Sequence, residues 1–302
     1  MMGVVRSRTA GKPVGKPVGK PEKTLAGGRG GISLPKQKAK PPTDLAEYRL
    51  LIYGEGGVGK SSLVARFGDT KDTLFFQFEL ASTGLEIFRT KLLTDWSMVL
   101  EYEALLLKGD HNYGAVCLDT GSPAYERCMD YVCKKRGVSH PHDANDYGAT
   151  WKAVTDEFKR VQRSLASAGL VVTVVSHDKL TEITTRTQQK IWHIEPNMGG
   201  KCLQYFRENS DVIGYYHMIG HKRYLQIMGD DYVMAKANPE NHFRTPKGDR
   251  IVRIPMGDSA DEAYKNLARA FENKQTDTLS DVVATKILTE EVAVKARRKH
   301  SK

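Results

Sequence analysis

The sequence predicts an α/β fold: a mostly parallel sheet with helices on both faces and an antiparallel hairpin late in the chain. Three observations carry this. Short apolar runs alternate with helix-length amphipathic stretches through the middle of the chain. The runs are nearly continuous in apolar residues, as in strands buried on both sides, rather than alternating with polar ones. A glycine-rich turn of fixed spacing joins the first run to the first helical stretch, as a tight strand-to-helix connection requires.

The strand-like runs are 48–53 (YRLLIY), 74–78 (LFFQF), 114–118 (GAVCL), 170–175 (LVVTVV) and 212–218 (VIGYYHM). Helices are expected at about 60–67, 94–108, 122–136 and 146–168. In the last of these Trp151, Val154, Phe158, Val161 and Leu165 recur at helical spacing and mark a core face, and an acid at 143–146 is placed to cap its start. The runs 224–227 and 232–235 suggest a hairpin turning at Gly229 and Asp230. After residue 257 the strand signal ends. Ser259 and Glu262 form a capping-box pattern that opens a helix carrying Ala263, Leu267 and Phe271, and Ser280 is placed to cap a second, basic one.

Three regions follow: a basic Gly/Lys/Pro tail at 1–43, an α/β core at 44–256, and a helical, partly basic extension at 257–302. The tail holds ten Lys and Arg against the single acid Glu22, and offers almost no apolar area to offset the entropy of ordering it. The chain as a whole carries a formal charge of +10, yet its middle is close to neutral, so the basic character lies in the ends. Such ends attract polyanions without reading sequence, or simply aid solubility. No apolar run approaches the ~18 residues of a membrane-spanning helix. The four cysteines, Cys117, Cys128, Cys133 and Cys202, are too few for a disulfide-stapled scaffold. With no leader pattern at the start, a cytoplasmic setting is expected. Cys128, Cys133, His140 and His142 could be read as a zinc set, but a spacing of five turns the two thiols to different faces of a helix.

The segment GEGGVGKS at 54–61 matches GxxxxGK[ST] in full, in the strand–helix context the motif needs. Gly54, Glu55, Gly56, Gly57, Val58 and Gly59 form the loop, whose backbone N–H groups can cradle phosphates, with Ser62 just beyond. Lys60 would reach the β- and γ-phosphates, and Ser61 would bind Mg²⁺, which points to ATP as the ligand. Asp119 follows the apolar run 114–118, where a second Mg²⁺-holding carboxylate belongs; it could instead cap the next helix. Glu79 ends another run and is placed to activate water, or is a surface acid at a strand end. His177 follows the run 170–175 and could sense the γ-phosphate, or merely satisfy a loop hydrogen bond.

The order of these pieces resembles the RecA-type core of P-loop ATPases over residues 46–255. It is most similar to the phage-encoded RecA-like AAA proteins that include Sak-type single-strand annealing proteins. The resemblance also rests on PNMGGKCLQYF at 196–206 and the strand that follows it. It implies that Glu79 is the catalytic base and that His177 couples the nucleotide to DNA-binding loops. It further implies that the glycine-containing loop at 181–200 lines single-stranded DNA. Two features depart from RecA: His177 stands where RecA has glutamine, and a low-complexity tail replaces the N-terminal oligomerisation element. ATP-regulated single-strand binding or annealing is therefore expected rather than full strand exchange.

Within 181–201, expected to be a mobile loop or a β-hairpin, Arg186, Lys190 and Lys201 surround Trp192. Cations that track phosphates and a ring that stacks on any base suit single-strand binding. Lys222, Arg223 and Lys236 are candidates to reach the γ-phosphate of a neighbouring copy, so a homo-oligomer is expected, with a single-strand-binding protein as a further partner. Two other classes remain open at this level: a motor or clamp-loading ATPase acting on duplex DNA or protein, and a small-molecule kinase, for which no arginine-rich lid is evident.

Overall fold

The computed structural model describes residues 38, 41–68, 71–80, 84–185 and 187–276. Arg186, most of the basic tail and the expected helix at Ser280 lie outside these. All elements described below belong to the unit that begins at Pro42.

In chain order they are β1 (Leu50–Gly54), α1 (Lys60–Val64), β2 (Asp72–Gln77), β3 (Phe88–Arg89), α2 (Trp96–Leu107), β4 (Tyr113–Asp119) and α3 (Gly121–Arg136). Next come α4 (Ala149–Ser167), β5 (Val171–Thr184), β6 (Lys190–Pro196), α5 (Gly200–Asn209) and β7 (Val212–Ile219). The series ends with β8 (Lys222–Gln226), β9 (Lys236–Ala237), β10 (Arg253–Pro255) and α6 (Ala260–Phe271). The sheet runs β10-β8-β7-β1-β5-β4-β2-β3. The strands from β7 to β3 are mutually parallel; β8, β9 and β10 join antiparallel at one side. This is the anticipated architecture.

Burial on both faces explains the continuous apolar runs. All five residues of β1 are buried. Leu51 and Tyr53 face one core with Val99 of α2, Cys128 of α3, Phe158 of α4 and Phe206 of α5. Leu50 and Ile52 face the other, with Leu63 of α1 and Leu267 of α6. The apolar stripe of α4 is buried at Val154, Phe158, Val161 and Leu165, and each such side chain contributes about 1.5–3 kcal/mol. At α6, Ser259 accepts from the Glu262 N–H at 3.1 Å, and Glu262 accepts in turn from the Asp258 N–H at 3.0 Å. The capping box is formed, one residue out of register on its return arm.

Several local expectations are corrected. The late hairpin is β7–β8, turning at Gly220 (φ 60°), with Ile219 opposite Lys222. It does not turn at Gly229 and Asp230. There the Asp230 carboxylate accepts from the Tyr232 and Val233 N–H groups, and Val233 bridges to Ile194. Helix α1 stops at Val64, because Arg66 and Phe67 bond three residues back and the chain leaves as a tight turn. The acid before α4 is not its N-cap: Gly148 is, and Asp146 accepts instead from the Thr150 hydroxyl at 2.6 Å. Strand β5 does not end at Val175. It continues to Thr184 and pairs antiparallel with β6, so 181–200 is a hairpin followed by α5 rather than a loop. The four cysteines are free and buried, and no metal-binding cluster of His, Cys, Asp or Glu occurs among the described residues. Among the described residues no helix is long and apolar enough to cross a membrane.

Candidate nucleotide site

Strand β1 is central in the sheet, with β5 on one side and β7 on the other. The chain leaves β1 toward β2 on one side and leaves β5 toward β7 on the other, so a crevice opens beyond the C-terminal ends of these strands. The glycine-rich turn fills it. A Cβ on Gly54 would come within 2.0 Å of the Tyr216 carbonyl oxygen on β7, so only glycine lets the two backbones lie so close. Gly59, at φ 106°, takes the left-handed turn into α1. Glu55, Gly56 and Gly57 are exposed at the crest, and Val58 is buried beneath it.

Lys60 is 7% exposed, and its Nζ donates to the carbonyls of Gly54 at 2.8 Å and Glu55 at 2.6 Å. Burial pulls its pKa below the usual lysine value, and the charges of Asp178, Asp119 and Glu55 oppose that pull. The ammonium is thus held inside the turn by two backbone carbonyls. Ser61 donates to Asp119. The Asp119 carboxyl, 9% exposed at the end of β4, has its pKa raised, first by burial and then by the charge of Glu79; Lys60, His177 and the Ser61 hydroxyl lower it. A hard-oxygen pair with its carboxylate largely buried, pressed by a second acid, fits a small divalent cation, so Ser61 and Asp119 are the residues that can hold Mg²⁺. Thr120 follows Asp119 and is the non-side-chain N-cap of α3. Asp119 therefore does not serve as that cap.

The remaining expected residues divide clearly. Glu79, half-buried just past β2, lies close enough to Asp119 to raise its pKa. Its approach follows from pairing, because β2 and β4 are neighbours and the Phe78 N–H donates to the Asp119 carbonyl. His177 sits on β5 directly opposite Gly54 and lines a cleft of about 380 Å³ together with Gly57, Lys60, Ser61 and Asp119. Ser62 lines the same cleft and a second cavity of about 320 Å³ beside it. So the turn, Lys60, Ser61, Asp119 and His177 line one crevice, with Glu79 near Asp119.

The residues expected to meet nucleic acid lie along the hairpin and beyond it. Lys190 is exposed and paired with Glu182 at 2.9 Å. Trp192 stands opposite Glu182 and packs part of its ring on the core. Lys201 is exposed in the first turn of α5. Of the three cations expected to reach another copy, Lys222 is exposed, and Lys236 donates to the Arg207 carbonyl near the opposite ends of the strands. Arg223 instead lies at its own chain's turn, where its Nε donates to the Val58 carbonyl at 3.2 Å.

Sequence reasoning missed Asp178, Tyr216 and Leu85. Asp178 follows His177 and is the foremost charge supporting Lys60. Tyr216 lies under Gly59; burial pushes its phenol up to about 12, against the pull of Arg223. Leu85 borders both cavities. Only Asp178 carried a signal, as a second polar residue beside the expected sensor.

Residues 46–244, more than half of the chain, match the family described as AAA domain. The chain belongs to the AAA-domain family. This AAA-domain protein is accordingly a P-loop ATPase. No curated protein matches it. Among solved structures, the crystal structure of the RadB recombinase is similar at a TM-score of 0.36 and 14% identity, covering 60% of this chain and 80% of that one.

Proposed function

We propose that this AAA-domain protein is a Mg²⁺-dependent ATPase that binds single-stranded DNA and acts in phage-type recombination, annealing or replication. One observation carries the reading. Strand β5 runs without a break from His177 at the nucleotide crevice to Thr184 at the hairpin end. A change at His177 is thus transmitted along a hydrogen-bonded strand to the arm that bears Lys190 and Trp192. The Asn197 N–H donates to the His177 carbonyl at 2.7 Å, which ties the far end of the hairpin to the same residue.

The chemistry assigns a role to each group. Backbone N–H groups of the turn and Lys60 bind the triphosphate. Ser61 and Asp119 hold Mg²⁺, which when bound neutralises phosphate charge. Glu79 orients water and accepts its proton as the γ-phosphoryl group transfers. His177 reports the γ-phosphate to the hairpin, where Lys190 and Trp192 meet the strand; Lys201 of α5 and, by its place in the sequence, Arg186 add charge for it. The basic tails add sequence-independent attraction. A homo-oligomer in the host cytoplasm, with Lys222 or Lys236 offered to a neighbouring copy, and a single-strand-binding protein as partner complete the proposal.

The test is ATP turnover alone, with single-stranded DNA, with duplex DNA, and with small hydroxyl acceptors. Stimulation by single strands above duplex supports the reading. Stimulation by duplex alone, or phosphate transfer to an acceptor, overturns it in favour of a motor or a kinase.

A further inference from the structure

Two cavities lie beside the nucleotide crevice on the face that carries α1 and α6. The first, of about 320 Å³, shares Gly59, Ser62 and Leu85 with the crevice and extends to Arg66, Tyr216 and Ser259. The second, of about 670 Å³, is lined by Lys222, Asp258, Asn266 and Arg269. Arg223 and Asp258 border both.

Arg223 stands on β8 opposite Met218, and its neighbour on that face, Leu225, is buried in the α1–α6 core. The side chain therefore runs toward α1. Its Nε donates to the Val58 carbonyl at 3.2 Å, and its Nη1 donates to the Asp258 carbonyl at 3.0 Å. It lies 3.8 Å from where a Gly59 Cβ would be. A guanidinium has five N–H donors in a rigid fork, and the two bonds to the protein use two of them. Asp258 immediately precedes the capping box of α6, and Asp261 in the first turn of α6 pairs with Arg66 behind α1 at 2.7 Å. The crest of the phosphate-binding turn and the start of α6 are thus joined through one half-buried cation.

The γ-phosphate end of a triphosphate belongs near Asp119, Glu79 and His177. The α-phosphate and sugar end then belongs toward Ser62 and the cavity that Arg223 borders. We infer that Arg223 binds the α-phosphate–ribose end of its own chain's nucleotide and latches the phosphate-binding turn to the segment that opens α6. It is a binding and positioning residue acting in cis. The inference rests on the nucleotide reading of the crevice but not on any role in DNA binding.

Arg223→Ala and Arg223→Lys test it, with ADP and ATP binding measured by calorimetry without DNA, and amide exchange followed over 256–263. A cis contact to the α-phosphate end makes Arg223→Ala lose about ten-fold for ADP and ATP alike, the worth of one charge-assisted bond. ADP slows exchange over 256–263 in the wild type and fails to do so in the variant. Lysine keeps the charge but cannot fork between two carbonyls, so it retains more affinity than alanine while losing the protection. Equal ADP affinity in wild type and both variants overturns the latch alone. So does recovery of turnover when Arg223→Ala is mixed with Lys60→Ala, since that requires Arg223 to act across chains. A wild type that binds no ADP overturns the nucleotide reading itself.

Discussion

Ser61 on α1 and Asp119 at the end of β4 meet in a side-chain hydrogen bond although an entire strand, β5, separates the strands they follow. Asp119 is also largely buried and lies close enough to Glu79 to feel its charge.

Asp119 has a raised pKa because burial and the Glu79 charge disfavour its ionised form. A carboxyl whose folded pKa lies above its unfolded one costs stability once it ionises, at pH above the folded value; below the unfolded value the cost is absent. Asp119→Asn removes the cost. The metal-free variant should melt about 2 °C higher than wild type at neutral pH, and the gain should fade as pH falls through the carboxyl's titration. Adding Mg²⁺ and nucleotide should raise the wild-type Tm and leave the variant behind. Scanning fluorimetry across the acidic to neutral range reads both effects.

Glu79→Gln keeps the shape of the side chain and removes the carboxylate proposed as the base. Nucleotide affinity should stay within about two-fold, while turnover should fall about 10²–10⁴-fold. Single-turnover phosphate release separates the two, and normal hydrolysis would remove Glu79 from the mechanism.

Gly54→Ala forces a Cβ to within 2.0 Å of a backbone oxygen on β7, which no rotamer change relieves. The cost should be about 2–3 kcal/mol in urea unfolding, together with loss of nucleotide binding. Gly56 has nothing within 4 Å of its would-be Cβ, so Gly56→Ala should change stability by less than about 0.5 kcal/mol.

Glu103, only 4% exposed on α2, receives both terminal nitrogens of Arg160 from α4, at 2.9 and 3.1 Å. The Arg160 pKa is raised, first by Glu157 and then by Glu103. Because Arg160 is half exposed, water compensates part of the loss. Glu103→Ala should destabilise by about 1–2 kcal/mol, measured by the shift in urea midpoint at constant slope.

Lys190 is paired with Glu182 across the hairpin. Glu182→Gln frees that cation. If the hairpin meets single-stranded DNA, affinity should rise about three-fold, with the salt slope steeper by about one phosphate contact. Fluorescence anisotropy at several salt concentrations checks it, and an unchanged slope would take the hairpin out of the DNA interface.

Much of this crevice was legible in sequence because its parts sit at strand ends. The apolar runs reveal where strands stop, and acids such as Asp119 and Glu79 stand just past those stops. The polar run Ser176, His177 and Asp178 reads locally as the stop of β5, yet the strand continues through it, because β1 pairs with Ser176 and His177 and β6 takes over from Asp178 onward. The late hairpin was misplaced for a related reason. Gly229 and Asp230 carry turn chemistry, but Gly220 makes the turn that pairs strands. Helix α5 escaped notice because it opens on Gly199 and Gly200, which argue locally against a helix, while Cys202, Leu203, Tyr205 and Phe206 stabilise it by burial in the core.

Local chemistry alone dictates the phosphate-binding turn, the alternation of buried strands with helices, and the capping box of α6. Each depends on residues a few positions apart, whose chemistry acts through backbone geometry alone. Long-range packing sets that β5 lies between β1 and β4, that Glu79 presses on Asp119, and that Arg223 grips the turn of its own chain. Those meetings depend on which strands pair and which face each side chain takes, and they are set by the burial of two cores acting at once over the whole sheet.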